Sequence, residues 1–366
     1  MAYYQKYLDY FFNKISKKVK WGYFIFFVTN KCNARCKHCF YWKKLNSNLN
    51  ELTLNEIERI TKNLGEIQVL LLSGGEPFLR KDLFEIISLF IKNNKVRVVS
   101  IPTNAILTEQ IIKITKRLSD SFPQVLFSVN PSIDNLYKKN DEIRGVKGAF
   151  KKSIKTLKEL EKIRREKKNV EIVINTTISN FNYKDFDKII NFFKGFNITY
   201  HNFELLRGNP KEKNINLPSL EEIKKIHSKV IRLREYYINK NNRNSNFLNR
   251  LIEKISVLGV TKYTQYIKEK VLNSENFPFI CSAGQNIIVL EPAGDVKLCE
   301  LHSSVGNLKD YDYDLNKLLK NEKSKKMFEI AKKCKCTHIC FLNMSIANDK
   351  KSLIKIPYYF LKWKSA

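Results

Sequence analysis

The stretch YFIFFVTNKCNARCKHCF, residues 23–40, joins an apolar, aromatic and β-branched run to three cysteines. The run reads as a buried strand. Cys32, Cys36 and Cys39 follow it directly with the spacing C-x3-C-x2-C, in the kind of βα loop that carries active sites at the strand ends of parallel barrels. Three thiolates leave a metal incompletely covered. A structural zinc site takes four ligands; His38 is the candidate for the fourth, but it lies between two of the cysteines, where a short loop can hardly turn all four inward. An iron–sulfur cluster suits the set better, because thiolates ligate iron and an uncovered iron can bind something else.

Outward from that loop, β-rich runs alternate with helical patterns. The strand-like runs are YFIFFVT, IQVLLL, VRVVSI, QVLFSV, VEIVINTTI and ITYHNFEL, separated by segments such as LTLNEIERITKNL and GAFKKSIKTLKELEKI. Helices of that length permit right-handed parallel crossovers. The fold class expected is α/β, a partial (β/α)6 TIM-like barrel over residues 22–207. Thr53 and Glu56 have the spacing of a capping box, and Gly195 stands where a helix would end before the sixth strand. Residues 208–280 read as a mostly helical linker without strand signal. From Cys281 the text turns to short strands, with PAGD as a hairpin turn between IIVLE and VKLC. This predicts a small cysteine-rich β-hairpin/helix module over 281–345. Basic aromatic segments flank the whole, a helix at 1–21 and a tail at 346–366.

Composition narrows the class. The chain has 366 residues, 43% of them hydrophobic, enough for a sizeable core. It contains no run of eighteen apolar residues, and its N-terminus lacks the pattern of a signal peptide; a cytoplasmic protein is expected. Eight cysteines in a chain this long suit metal rather than a disulfide scaffold. The net charge of +30 comes mostly from Lys spread along the sequence, which argues against a nucleic-acid partner, since that function gathers basic residues on one face. An acidic or phosphorylated substrate remains compatible with it. The basic aromatic ends suit either packing on the barrel or peripheral contact with an anionic membrane.

Further motifs follow the cysteines in order. LLLSGGEP ends the second strand with Gly74, Gly75, Glu76 and Pro77; PTN at 102–104 ends the third; SID at 132–134 follows the fourth; EIRG at 142–145 precedes the fifth long helix. Paired glycines let backbone approach a ligand, and Glu76 can accept hydrogen bonds from an ammonium group. Together with Phe40 after the third cysteine, this ordered set resembles the radical S-adenosylmethionine enzymes, in the subgroup with a C-terminal cluster module. The resemblance implies a [4Fe–4S] cluster on Cys32, Cys36 and Cys39 whose uncovered iron binds S-adenosylmethionine. It also implies Ser132 and Arg144 at the methionine carboxylate, Thr103 and Asn104 near the ribose, and Phe40, Gly74, Gly75, Glu76, Pro77 and Asp134 in the cofactor site. The activity implied is reductive cleavage to a 5′-deoxyadenosyl radical that removes hydrogen from a substrate, fed by an electron donor such as flavodoxin or ferredoxin.

Cys281 and Cys299 flank the hairpin, and Cys334, Cys336 and Cys340 lie in CKCTHIC. The segment resembles the opening of a SPASM/twitch module, implying one auxiliary iron–sulfur cluster, expected as [4Fe–4S]. Cys336 and Cys340 are its expected remaining ligands, because the one-residue gap from Cys334 to Cys336 is awkward for two ligands on one cluster; Cys334 is a spare thiol, a replacement for Cys336, or part of a site that leaves iron open to substrate. The competing assignment is zinc on these thiols with His338, in a basic protein that binds nucleic acid or membrane without radical chemistry. Substrate contacts are expected from Asn175 and Thr177 on the fifth strand, and from His201, Glu204 and Arg207 on or after the sixth. The substrate class stays open among a ribosomal peptide, a sugar or sugar nucleotide, and a lipid-linked intermediate.

Overall fold

The computed structural model describes residues 19–241, 247–275 and 277–362. The helix expected at 1–21 falls outside these residues up to 18, and Trp21 already belongs to the first strand. Six parallel strands form the barrel: β1 (Trp21–Thr29), β2 (Ile67–Gly74), β3 (Val98–Thr103), β4 (Leu126–Pro131), β5 (Val170–Ile178) and β6 (Tyr200–Leu205). All nine residues of β1 are buried, as a strand covered on both faces requires.

The crossover helices are α1 (Leu54–Lys62), α2 (Leu83–Asn94), α3 (Thr108–Ser121), the short α4 (Tyr137–Arg144), α5 (Ala149–Glu166) and α6 (Phe186–Lys194). Thr53 and Glu56 form the expected capping box at the head of α1, and Gly195 caps α6.

The sheet order is β6-β5-β4-β3-β2-β1-β7-β8-β9, so the barrel does not close. β7 (Ile287–Leu290) is the first strand of the hairpin expected in the C-terminal module, and it pairs in parallel with β1, Tyr23 opposite Ile287 through Phe26 opposite Leu290. The module is therefore continuous with the barrel sheet. Its strands β8 (Asp295–Lys297) and β9 (Gly306–Asn307) continue antiparallel.

The segment expected as a linker folds as α7 (Leu220–Asn241) and α8 (Phe247–Leu272), which pack together. After α9 (Leu315–Leu318) and α10 (Glu322–Lys332) come α11 (Ile339–Asn348) and α12 (Lys350–Lys362). Residues 346–362 are thus helical rather than a free tail. α12 lies along α8, with Tyr359 stacked on Tyr263 at 4.8 Å. Ile356, Tyr359 and Phe360 pack toward α8, while Ile354 and Leu361 stay exposed. Among the described residues no helix is long and apolar enough to cross a membrane.

Candidate active site

The cysteine loop is an excursion from the end of β1 with a fixed neck. The Asn30 amide nitrogen donates to Glu51 Oε1 at 2.7 Å, its side chain donates to the Lys44 and Ser47 carbonyls, and its carbonyl accepts from Asn46 N at 2.9 Å. Arg80 Nη1 in turn holds Glu51 Oε2 at 3.0 Å. A buried Asn making this many bonds fixes a loop as a small core would. These three residues escape a reading of the sequence because their partners are distant along the chain.

The SGGE turn locks onto that loop. Gly75 N donates to the Thr29 carbonyl and Glu76 N to the Lys31 carbonyl, both at 2.8 Å. A Cβ on Gly75 would stand 2.0 Å from the Lys31 oxygen. The glycine is thus required first by the cysteine loop's own backbone, not by a ligand as the sequence suggested. EIRG grips the loop from its other side: Arg35 N donates to the Arg144 carbonyl at 3.0 Å and Lys37 N to the Ile143 carbonyl at 2.9 Å. A Cβ on Gly145 would meet the Arg35 carbonyl oxygen at 2.6 Å.

These segments surround a cavity of about 760 Å³. Its walls carry Cys32, Cys36 and Cys39, then Phe40, Gly74, Gly75 and Glu76, then Thr103, Asn104, Ser132 and Arg144. Pro77 and Asp134 are not on the wall. Pro77 is buried in the short turn behind Glu76. Asp134 lies behind Arg144, ion-paired through Oδ2 with its Nε at 2.7 Å while its other oxygen accepts from Thr177 N at 2.8 Å. It can orient the guanidinium, which also reaches Cys36 Sγ at 3.6 Å. Burial works against the Arg144 charge, but Asp134 and Cys36 hold its pKa above the usual value. His38 is partly buried, 3.7 Å from Asp134, and desolvation lowers its pKa.

The side chains of PTN are largely committed inside the protein. Thr103 Oγ1 donates to Glu76 Oε1 at 2.8 Å, Asn104 N donates to Glu76 Oε2 at 2.7 Å, and Asn104 Nδ2 donates to Asn33 Oδ1 at 2.6 Å. They position Glu76 and the cysteine loop. Burial outweighs these bonds and raises the Glu76 pKa from 4.5 to about 7. The folded state thus holds this proton more tightly than the unfolded chain, so stability is lost as pH rises from about 4.5 to about 7. Glu76→Gln is expected to remove that slope, worth about 3 kcal/mol at most, in urea unfolding of the cluster-free protein across this range; equal slopes in both proteins would contradict it.

Asn175, Thr177, Glu204 and Arg207 all line the cavity. Arg207 spans two carboxylates, Glu300 at 3.1 Å and Glu204 at 3.8 Å, and its guanidinium lies 5.2 Å from the Phe40 ring centre. Glu300 also pairs with His338 Nε2 at 2.7 Å; neither Glu300 nor this role of His338 was legible beforehand. His201 is off the wall. Its Nε2 meets Thr176 Oγ1 at 2.8 Å, its ring stacks on Phe203, and burial drives its pKa down to about 3, so it is a core residue.

The C-terminal thiols lie in two surroundings. Cys336 and His302 lie beside the Cys334 thiol and hold its pKa below the usual value, and Cys281 and Cys299 both feel its charge. Cys340 is the module cysteine that lines the large cavity, where Glu204, Glu300 and Arg207 dominate its surroundings. The C-x-C gap is not awkward, because residues 334–338 are non-helical and alternate residues of an extended chain share a side.

Cys32, Cys36 and Cys39 all open onto the cavity, which suits a cluster whose irons each take one cysteine.

Residues 26–193 match the radical SAM superfamily model. A probable GTP 3′,8-cyclase of Methanocaldococcus jannaschii is 31% identical over 220 residues, 56% of this chain and 66% of that protein. Fe-coproporphyrin III synthase of Methanosarcina barkeri is 28% identical over 164 residues, 44% of this chain and 38% of that one. The chain thus spans less than two thirds of either relative. The solved structure of anSMEcpe with bound AdoMet and a Cp18Cys peptide superposes with a TM-score of 0.61 at 18% identity, covering 92% of this chain and 96% of that one, a shared fold. The domain match, that fold and the cysteine loop agree on a radical SAM domain over residues 26–193, the family in which a [4Fe–4S] cluster binds S-adenosylmethionine.

Proposed function

We propose that the protein is a radical SAM enzyme acting on a substrate held in the large cavity. The observation carrying this is the convergence of Cys32, Cys36, Cys39, Glu76 and Arg144 on one wall of that cavity. The three cysteines would hold the cluster; Glu76 would take the ammonium of S-adenosylmethionine, and Ser132 with Arg144 its carboxylate. With an electron from a flavodoxin- or ferredoxin-like donor, the bound group supplies reductive cleavage of the sulfonium and hydrogen abstraction from substrate, leaving 5′-deoxyadenosine.

The chain's own residues supply position and dryness. Asp134 fixes the guanidinium, Thr103 and the Asn104 amide fix the Glu76 carboxylate, and the apolar faces of α8 and α12 exclude water from the far wall. The test is anaerobic: cluster-loaded protein, dithionite and S-adenosylmethionine are incubated and 5′-deoxyadenosine is measured. Product is expected; its absence from fully iron-loaded protein, with lysate supplied as a source of substrate, would count against the reading.

The second cysteine group supports one auxiliary cluster on Cys281, Cys299, Cys334 and Cys336. Cys334→Ser is expected to lower bound iron by about four per chain, whereas Cys340→Ser leaves iron content unchanged. The reverse pattern would restore the ligand set expected from sequence.

A further inference from the structure

α8 runs along the far wall of the cavity, and the residues it presents there change in polarity along the helix. Ile252, Ile255, Ser256, Val257 and Val260 come first, then Thr261, Thr264, Gln265 and Lys268. From Ile252 to Lys268 the helix rises about 24 Å. Ile356 and Pro357 of α12 face the same cavity, extending the apolar part.

Lys268 is the residue that stability does not account for. It is 1% exposed, yet it makes no hydrogen bond or ion pair with any described residue. The carboxylates that might have neutralised it are engaged elsewhere. Glu300 is taken by Arg207 and His338, and Glu204 by Arg207 and by Asn202 Nδ2 at 3.1 Å. Glu204, Arg207, Cys336 and Cys340 lie within electrostatic reach of the ammonium without touching it. One turn back, Gln265 Oε1 is also buried without a partner. An ammonium held in the cavity wall without a partner is costly, and an anionic group of a ligand would complete it.

We propose that Lys268, with Gln265 and Thr264 beside it, is the subsite for an anionic group of an amphipathic substrate, whose apolar portion lies along the Ile252–Val260 face. The proposal rests on the cavity being the substrate site of a radical SAM enzyme, and it adds the chemical class of what enters: a carboxylate or phosphate monoester joined to an apolar body.

The experiment is isothermal titration calorimetry on cluster-loaded protein in saturating S-adenosylmethionine, using octanoate, octyl phosphate and octanol, with wild type and Lys268→Met. At least one anion is expected to bind wild type at one site and to lose about tenfold or more in affinity in the variant, while octanol binds both proteins alike. Preference for octanoate would mark a carboxylate, and preference for octyl phosphate a phosphate. A raised melting temperature is expected for the variant, because an unpaired buried charge has been removed.

Equal anion affinity in the two proteins would overturn the subsite. So would octanol binding wild type as tightly as the anions, or no anion binding at all. A variant that melts lower and also loses octanol would show Lys268 to be structural. One that binds anions normally but loses iron would assign the ammonium to the auxiliary cluster. Cleavage of S-adenosylmethionine by wild type, measured on the same preparation, separates the two claims: cleavage without anion binding defeats only the subsite, and anion binding without cleavage defeats only the radical reading.

Discussion

Cys36→Ala is expected to abolish 5′-deoxyadenosine formation, by more than about 100-fold, and to lower bound iron by about half in a protein carrying two clusters. Cys36 sits in the middle of the loop and is the thiol that Arg144 reaches at 3.6 Å. Its loss would remove one of three ligands where no neighbouring thiol can take its place, the other five cysteines lying in the C-terminal module. The backbone anchors around it, Arg35 N and Lys37 N on the EIRG carbonyls, do not involve the sulfur. The melting temperature of the cluster-free variant should therefore stay close to that of cluster-free wild type. Full iron content with full product formation would show that the loop holds no catalytic cluster. A large fall in the melting temperature would show the thiol to be structural.

Gly75→Ala is expected to damage both stability and the site, although it adds one methyl group. The new Cβ would stand 2.0 Å from the Lys31 carbonyl oxygen and 2.6 Å from its carbon, which are backbone atoms that no rotamer change can move aside. Either the SGGE turn or the cysteine loop must shift. Both bonds that join them, Gly75 N to Thr29 O and Glu76 N to Lys31 O, are then lost. Overpacking of this kind costs about 3 kcal/mol, and two hydrogen bonds add about 1 kcal/mol each. Thermal unfolding of the cluster-free protein should shift down by roughly 5–10 °C, and iron retention after reconstitution should fall with it, since Cys32 follows Lys31 directly. An unchanged melting temperature would mean that the two loops are not in register as described.

Much of the barrel was legible because its signals are local. VEIVINTTI reads as a strand and is β5 without a residue's change in its bounds. Thr53 and Glu56 announce the start of α1 because a capping box is completed within four residues. The order of cysteines, GGEP, PTN, SID and EIRG likewise reads as expected, because the first four follow strand ends at one rim of the sheet and EIRG closes the short helix α4 beside them. What these motifs do to one another was less legible. Thr103 and Asn104, expected near a ribose, spend their hydrogen bonds on Glu76 and Asn33, and Asp134 is held behind the wall by Arg144 and Thr177. Short side chains reach whichever partner folding brings closest, and sequence order does not give that distance.

The sequence by itself determined the strand–helix alternation, the loop that gathers three thiols, and the presence of a second cysteine group, because spacing and periodicity act over a few residues. Only the tertiary structure decided that β7 joins β1, that Cys340 faces the cavity while Cys334 lies beside Cys336, and that α8 lines the cavity with a buried Lys268. Each of these depends on contacts between segments tens to hundreds of residues apart. Such contacts follow from the burial of whole helix and sheet faces, which no local pattern in the chain records.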